Sequence, residues 1–133
     1  MTTALQAITA LSAMSVTGVT RVYAYPPTSL NNADLPAMWV QLPTMDSGRP
    51  LVLSAASGWP RLTVDVIIAV EPVGTGTQAA NFAAQVTLLD ALDAALAATD
   101  IGKARPDWRI TAGGVTIAGN DFWALRAEVN IHG

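Results

Sequence analysis

The sequence predicts an α+β domain: a mostly antiparallel β-sheet with two helices packed on it and one long loop or hairpin extension over 43–60. Three observations carry this. Residues 61–70 (RLTVDVIIAV) alternate side chains in the manner of a half-buried strand. Residues 78–99 form a long alanine- and leucine-rich run with helical spacing. Residues 108–131 break into β-rich runs punctuated by glycine turns. Helix, β-rich block, helix, antiparallel β block is the order of an α+β chain. No repeat, low-complexity tract or linker divides it, so residues 1–133 read as one domain.

Each element has its own signal. Thr2 or Thr3 can cap a first helix reaching Met14 or Ser15, with Leu5, Ile8, Leu11 and Met14 along one side. Gly18 ends it. Val19–Tyr25 reads as a strand stopped by Pro26-Pro27, since proline gives no N–H to a ladder. A polar loop follows to Asp34, then a strand over Ala37–Leu42. Residues 43–60 hold three Pro, two Gly and four Ser or Thr, a texture of loops, with Leu51–Leu53 able to extend a hairpin. In strand 61–70, Leu62, Val64, Val66, Ile68 and Val70 share one face. The other face, Thr63, Asp65, Ile67 and Ala69, begins polar and ends apolar, so something covers part of it. Glu71–Thr77 connects to the long helix, whose stripe is Phe82, Val86, Leu88, Leu89, Leu92 and Leu96, with Gly102 as its stop. Trp108–Thr111 and Val115–Ala118 read as strands around a Gly113-Gly114 turn. Gly119–Asp121 turns into a last strand, Phe122–Ile131.

Charged residues make up 13% of the chain and hydrophobic ones 51%, where an ordinary soluble domain carries ~25% charge. The first helix has no charge and the second only Asp90 and Asp93. A free surface helix usually carries a solvated charged face. The pattern therefore predicts a subunit whose helical layer is covered by copies of itself or by partners. The net charge of −3 and seven scattered basic residues argue against a nucleic-acid grip, which needs clustered Lys and Arg. The longest aliphatic run, Val66–Val70, is far short of a membrane span, and the N-terminal stretch lacks a basic leader region.

Catalytic chemistry has few groups to work with. There is no cysteine, and the one histidine, His132, is the next-to-last residue, a poor place for a general base. Asp90 and Asp93 are neighbours on a helix. Two carboxylates fall short of the six or more oxygens that a hard cation takes, and Asp93 is expected to meet an arginine of its own or another subunit. Gly74 and Gly76 precede a helix without a phosphate-loop signature. The chain is thus expected to be no enzyme and to use no cofactor or metal. Trp39 and Trp123 are expected in the core. Arg49 and Trp59, conspicuous in 43–60, are candidate partner contacts. Asp90, Asp93 and Arg126 are candidate intersubunit contacts.

The chain resembles the tail terminator (tail completion) proteins of long-tailed bacteriophages. The resemblance rests on the N-terminal helix followed by RVYAYPPTSLNNADLPAMWVQL at 21–42, on RLTVDVIIAV at 61–70, on NFAAQVTLLDAL at 81–92 and on GNDFWALRAEVNI at 119–131. It spans nearly the whole sequence through element order and the placement of aromatic residues and prolines. The resemblance implies a homo-oligomeric ring, typically a hexamer, on the head-proximal end of the tail tube. Such a ring stops polymerisation of the tube protein and offers a docking surface to the head-completion or connector protein. DNA passes through without specific binding. The location implied is the virion, at the head–tail junction, after assembly in the host cytoplasm. Low charge suits extensive intersubunit contact, and negative net charge suits a channel through which DNA slides.

Three other readings stay open on sequence. One is a neck adaptor or stopper between portal and tail. Another, of a different class, is a small-molecule-binding α+β domain or minor enzyme, which would need a pocket with convergent polar groups. The third is an oligomeric scaffold of cellular origin, with ring symmetry but no virus.

Overall fold

A computed structural model describes residues 4–46, 61–73, 78–99 and 106–132. The chain has an α+β fold, with a mixed, mostly antiparallel sheet and two helices. In chain order the elements are α1 (Ala4–Ser12), β1 (Arg21–Val22), a 3₁₀ turn (Asn32–Asp34), β2 (Ala37–Val40), β3 (Thr44–Asp46), β4 (Arg61–Pro72), α2 (Gln78–Ala98), β5 (Pro106–Ile117) and β6 (Asn120–His132).

The sheet runs β1-β2-β4-β6-β5, and β3 also pairs with β4. Only β1–β2 is parallel. Strands β2 and β3 lie end to end on one edge of β4, so the sheet is five strands wide. Between Val40↔Val66 and Thr44↔Thr63 the β2–β3 side advances by one residue more than β4. A bulge therefore falls at 41–43, where Pro43 could not have supplied a ladder N–H. A second register shift, between Ala69 and Glu71, leaves Val70 as an extra residue on β4.

The two faces of the sheet differ. One carries the main core: Met38 and Val40, Leu62, Val64, Val66 and Ile68, and Leu125, Val129 and Ile131 meet Ala7, Leu11 and Met14 after and along α1, and Leu88, Leu92 and Leu96 of α2. Each fully buried leucine or isoleucine here contributes roughly 1.5–3 kcal/mol. Gly18 lets the layers close. It has φ +96°, and a Cβ there would lie 3.2 Å from Leu88 Cδ2. The opposite face is apolar at one end, where Trp39, Ile67, Ala69, Phe122 and Ala124 are packed by Tyr23, Leu30 and Leu35 of the β1–β2 connection. This connection is the cover that the half-polar, half-apolar second face of strand 61–70 calls for.

Several elements differ from the sequence reading. Strand β1 is only Arg21–Val22, because the chain leaves the sheet before Pro26-Pro27. Residues Gly113 and Gly114 are not a turn: β5 runs through them unbroken, paired to β6 at every position from Pro106↔Ile131 to Ile117↔Asn120. The reversal lies instead at Ala118-Gly119, both at positive φ, 53° and 80°. That is the geometry of a two-residue type I′ hairpin. Along α1 and just past its end the buried line is Ala7, Leu11, Met14, while Leu5 is 74% exposed. Along α2, Leu88, Leu92 and Leu96 are buried, but Phe82 and Val86 are 72% and 43% exposed. Trp39 is in the core as expected, whereas Trp123 is 38% exposed. The proposed cap at Thr2 or Thr3, the Leu51–Leu53 segment and Gly102 lie outside the described residues.

Candidate functional site

The long 43–60 segment begins and ends at one place on the sheet. Asp46 pairs in register with Arg61, so residues 47–60 leave and re-enter at the same end of β4. Arg49 and Trp59, the candidate partner contacts, lie outside the described residues.

The three candidate intersubunit residues do not come together. Asp90 and Asp93 are both exposed on α2. Asp93 is bound within the chain, accepting a hydrogen bond from the Trp108 indole Nε1 at 2.8 Å. Among the described residues its partner is thus an indole of β5, and the bond ties the second half of α2 to the edge strand. Arg126 lies on the opposite face of the sheet, on β6. Its Nε stands 4.0 Å from Asp65 Oδ2 on β4, an exposed pair worth at most about 1 kcal/mol.

Arg126 belongs to a polar ladder on the half of that second face which the β1–β2 connection leaves open. Glu128 sits in register between Arg109 and Asp65. Two carboxylates directly opposite one another are unfavourable; Arg109 on one side and Arg126 next along β6 offset them. One row further on, Thr63 Oγ1 donates to Asn130 Oδ1 (3.0 Å) and Asn130 Nδ2 donates to Asp107 Oδ1 (3.1 Å). The signs alternate, so this face has no basic track for a phosphate backbone. The period-2 pattern of β4 and β6 could have located this ladder, but only with the β5–β6 register, which the misplaced turn concealed.

At the β1 edge, Arg21 stacks over the Tyr23 ring at 4.8 Å from its centroid and lies 3.7 Å from Asp34. Tyr23 donates its hydroxyl proton to Asp34 at 3.2 Å. Partial burial, then the Asp34 charge and hydrogen bond, raise the Tyr23 phenol above its ordinary 10.0, against a lowering by Arg21. This triad fixes the start and end of the connection that covers Trp39 and Ile67. A shallow groove beside it is lined by Tyr25, Pro27, Asn31 and other residues of 21–34.

The sequence reading places Leu5, Phe82 and Val86 on the apolar stripes of the two helices; what it misses is that the structure leaves them exposed on the helical layer. Phe82 and Val86 are four apart on α2 and so adjacent on its surface. Among the described residues, no three His, Cys, Asp or Glu side chains are grouped to hold a metal ion. No described helix is long and apolar enough to cross a membrane. Neither the known protein families nor the curated proteins include a match to this chain.

Proposed function

We propose that this chain is a structural subunit of a phage tail: a tail terminator that forms a ring, hexameric by resemblance, on the head-proximal end of the tail tube. In this reading the ring ends tube polymerisation, and its other face receives the head-completion or connector protein. DNA passes through the centre without specific binding.

The observation that carries it is the apolar exposure of the helical layer. Leu5, Phe82 and Val86 project from two helices whose described residues hold only Asp90 and Asp93 as charges. Burial of apolar surface against a neighbour is the main drive for association, and an interface core is poor in charge. The resemblance in element order and aromatic placement supplies the kind of assembly.

The test is negative-stain microscopy of the purified protein mixed with tail tubes of the same phage. Rings seated at one end of each tube, with tube length fixed by their addition, are the expected result. Tubes that stay uncapped and keep growing overturn the reading. Binding to isolated head connectors with no affinity for tubes would instead assign the chain as a neck adaptor or stopper.

A further inference from the structure

From Ile110 to Ile117 the outer edge of β5 is built without the devices that protect an edge strand. The type I′ turn at Ala118-Gly119 makes Ile117↔Asn120 a hydrogen-bonded pair. Counting back along β5, the odd-numbered residues bond to β6. Trp108, Ile110, Ala112, Gly114 and Thr116 therefore aim their N–H and C=O groups away from the sheet. No described strand lies beyond β5. Natural edges are blunted by charges, proline, bulges or short length. From Ile110 to Ile117 there is no charge and no proline, and the register is unbroken. Residues 111–114 are all exposed.

We propose that this edge pairs with the same edge of a second copy, giving a two-fold antiparallel β5–β5′ contact centred on Gly113. Two observations choose the occupant. First, among the described residues the opposite margin of the sheet offers only short strands, such as β1 (Arg21–Val22) and β3 (Thr44–Asp46), too short to cover the twelve residues of β5. A head-to-tail extension of the sheet would leave most of the edge open. Second, β5 is self-complementary about Gly113, as an isologous contact requires. Thr111 falls opposite Val115′, Ala112 opposite Gly114′, and Ile110 opposite Thr116′. The β-branched side chains match in size, no like charges face one another, and the pairs 112–114′ and 110–116′ each exchange two backbone hydrogen bonds. The contact also accounts for Trp123. Its in-register neighbour on β5 is Gly114, which has no side chain to shield the ring, and the incoming Ala112′ would sit beside that gap. A two-fold pair closes at two copies, so it is separate from the proposed ring and does not rest on it.

Gly113 makes the test sharp. A Cβ built there meets nothing within 4 Å, so Gly113→Lys or Gly113→Asp fits the subunit. Either substitution places a like charge directly opposite itself across the axis. The measurement is sedimentation over micromolar to millimolar concentrations without tubes, with amide exchange at Ala112 and Gly114. The expected result is a concentration-dependent dimer in which those two amides become protected. Each single variant should be weakened roughly tenfold or more, with its urea midpoint unchanged, and an equimolar mixture of the Lys and Asp variants should pair again. A chain that stays monomeric at the highest concentration overturns the proposal. So does one that associates while the Ala112 and Gly114 amides exchange freely, or a Gly113→Lys protein that dimerises as tightly as its parent.

Discussion

Phe82→Gln separates folding from assembly. A phenylalanine side chain carries roughly 150–250 Å² of apolar surface, and 72% of Phe82 is uncovered in the isolated chain. The covered remainder, on the order of 50 Å², corresponds to about 1 kcal/mol at ~25 cal/mol/Å². Gln is close to the best helix formers, so the variant should lose no more than about 1 kcal/mol of folding stability. The uncovered part would contribute about 3 kcal/mol if a neighbour buried it fully. Ordering the side chain costs about 1 kcal/mol of that. A net loss of ~2 kcal/mol per contact is about a thirtyfold weakening of assembly. Urea unfolding measures the first quantity and the fraction of capped tubes against protein concentration the second. Leu92→Ala, at a fully buried position of the same helix, is the control and should cost about 2–5 kcal/mol in the fold itself. A core-sized loss for Phe82→Gln would mean that the side chain is packed within the subunit. Capping at parental concentrations would mean that the helical layer is not the contact. Either result refutes the argument.

Three further outcomes follow from the geometry. Gly18→Ala combines φ +96° with the 3.2 Å approach to Leu88 and should cost about 1–3 kcal/mol; an unchanged urea midpoint would show that the α1–β1 turn relaxes freely. Asp93→Ala should cost about 1 kcal/mol and alter Trp108 emission through loss of the 2.8 Å bond, whereas Asp90→Ala should stay within about 0.5 kcal/mol; equal effects would contradict this division of the pair. Because the fold holds the Tyr23 phenol above 10.0, it favours the neutral form. That contribution is complete below the ordinary value and is lost as pH rises through the raised one. Tyr23→Phe should remove this step from the alkaline limb of the stability curve, and identical limbs for the two proteins would refute it.

The parts of the fold legible in the sequence are those where local pattern and tertiary environment agree. Strand β4 alternates because the main core buries Leu62, Val64, Val66 and Ile68 on one face, while polar Thr63 and Asp65 lie toward the open end of the other. The span of α2 was legible for the same reason. The Gly113-Gly114 pair misleads because two glycines favour a turn locally, yet β6 supplies a partner at both positions and the strand continues. Treating the whole α2 stripe as buried fails at Phe82 and Val86, since helical periodicity reports a face but not how far along the helix the sheet reaches. Trp123 shares the core face of β6 with Leu125. Its in-register neighbour Gly114 offers no side chain to cover it, a pairing that a turn placed at Gly113-Gly114 conceals. Of the candidate contacts, Asp93 was recognised as a residue in need of a partner. That the partner is an indole depends on how α2 packs against β5, the next element in the chain, which the local pattern of neither element sets.

Strand β6 is the last of the described strands in chain order, yet it lies inside the sheet between β4 and β5. It pairs with β4 from Arg61↔His132 to Pro72↔Phe122. While the chain is being synthesised, β4 can therefore gather β2, β3 and α1 on one side, but its other side waits until residues 120–132 have left the ribosome. An interruption of translation anywhere in α2 or β5 would release a fragment with one edge of β4 unpaired. The β5–β6 hairpin closes quickly through its local turn, and the distant β4–β6 pairing follows more slowly. If the chain assembles as proposed, its subunits become competent to associate only after synthesis has passed this strand.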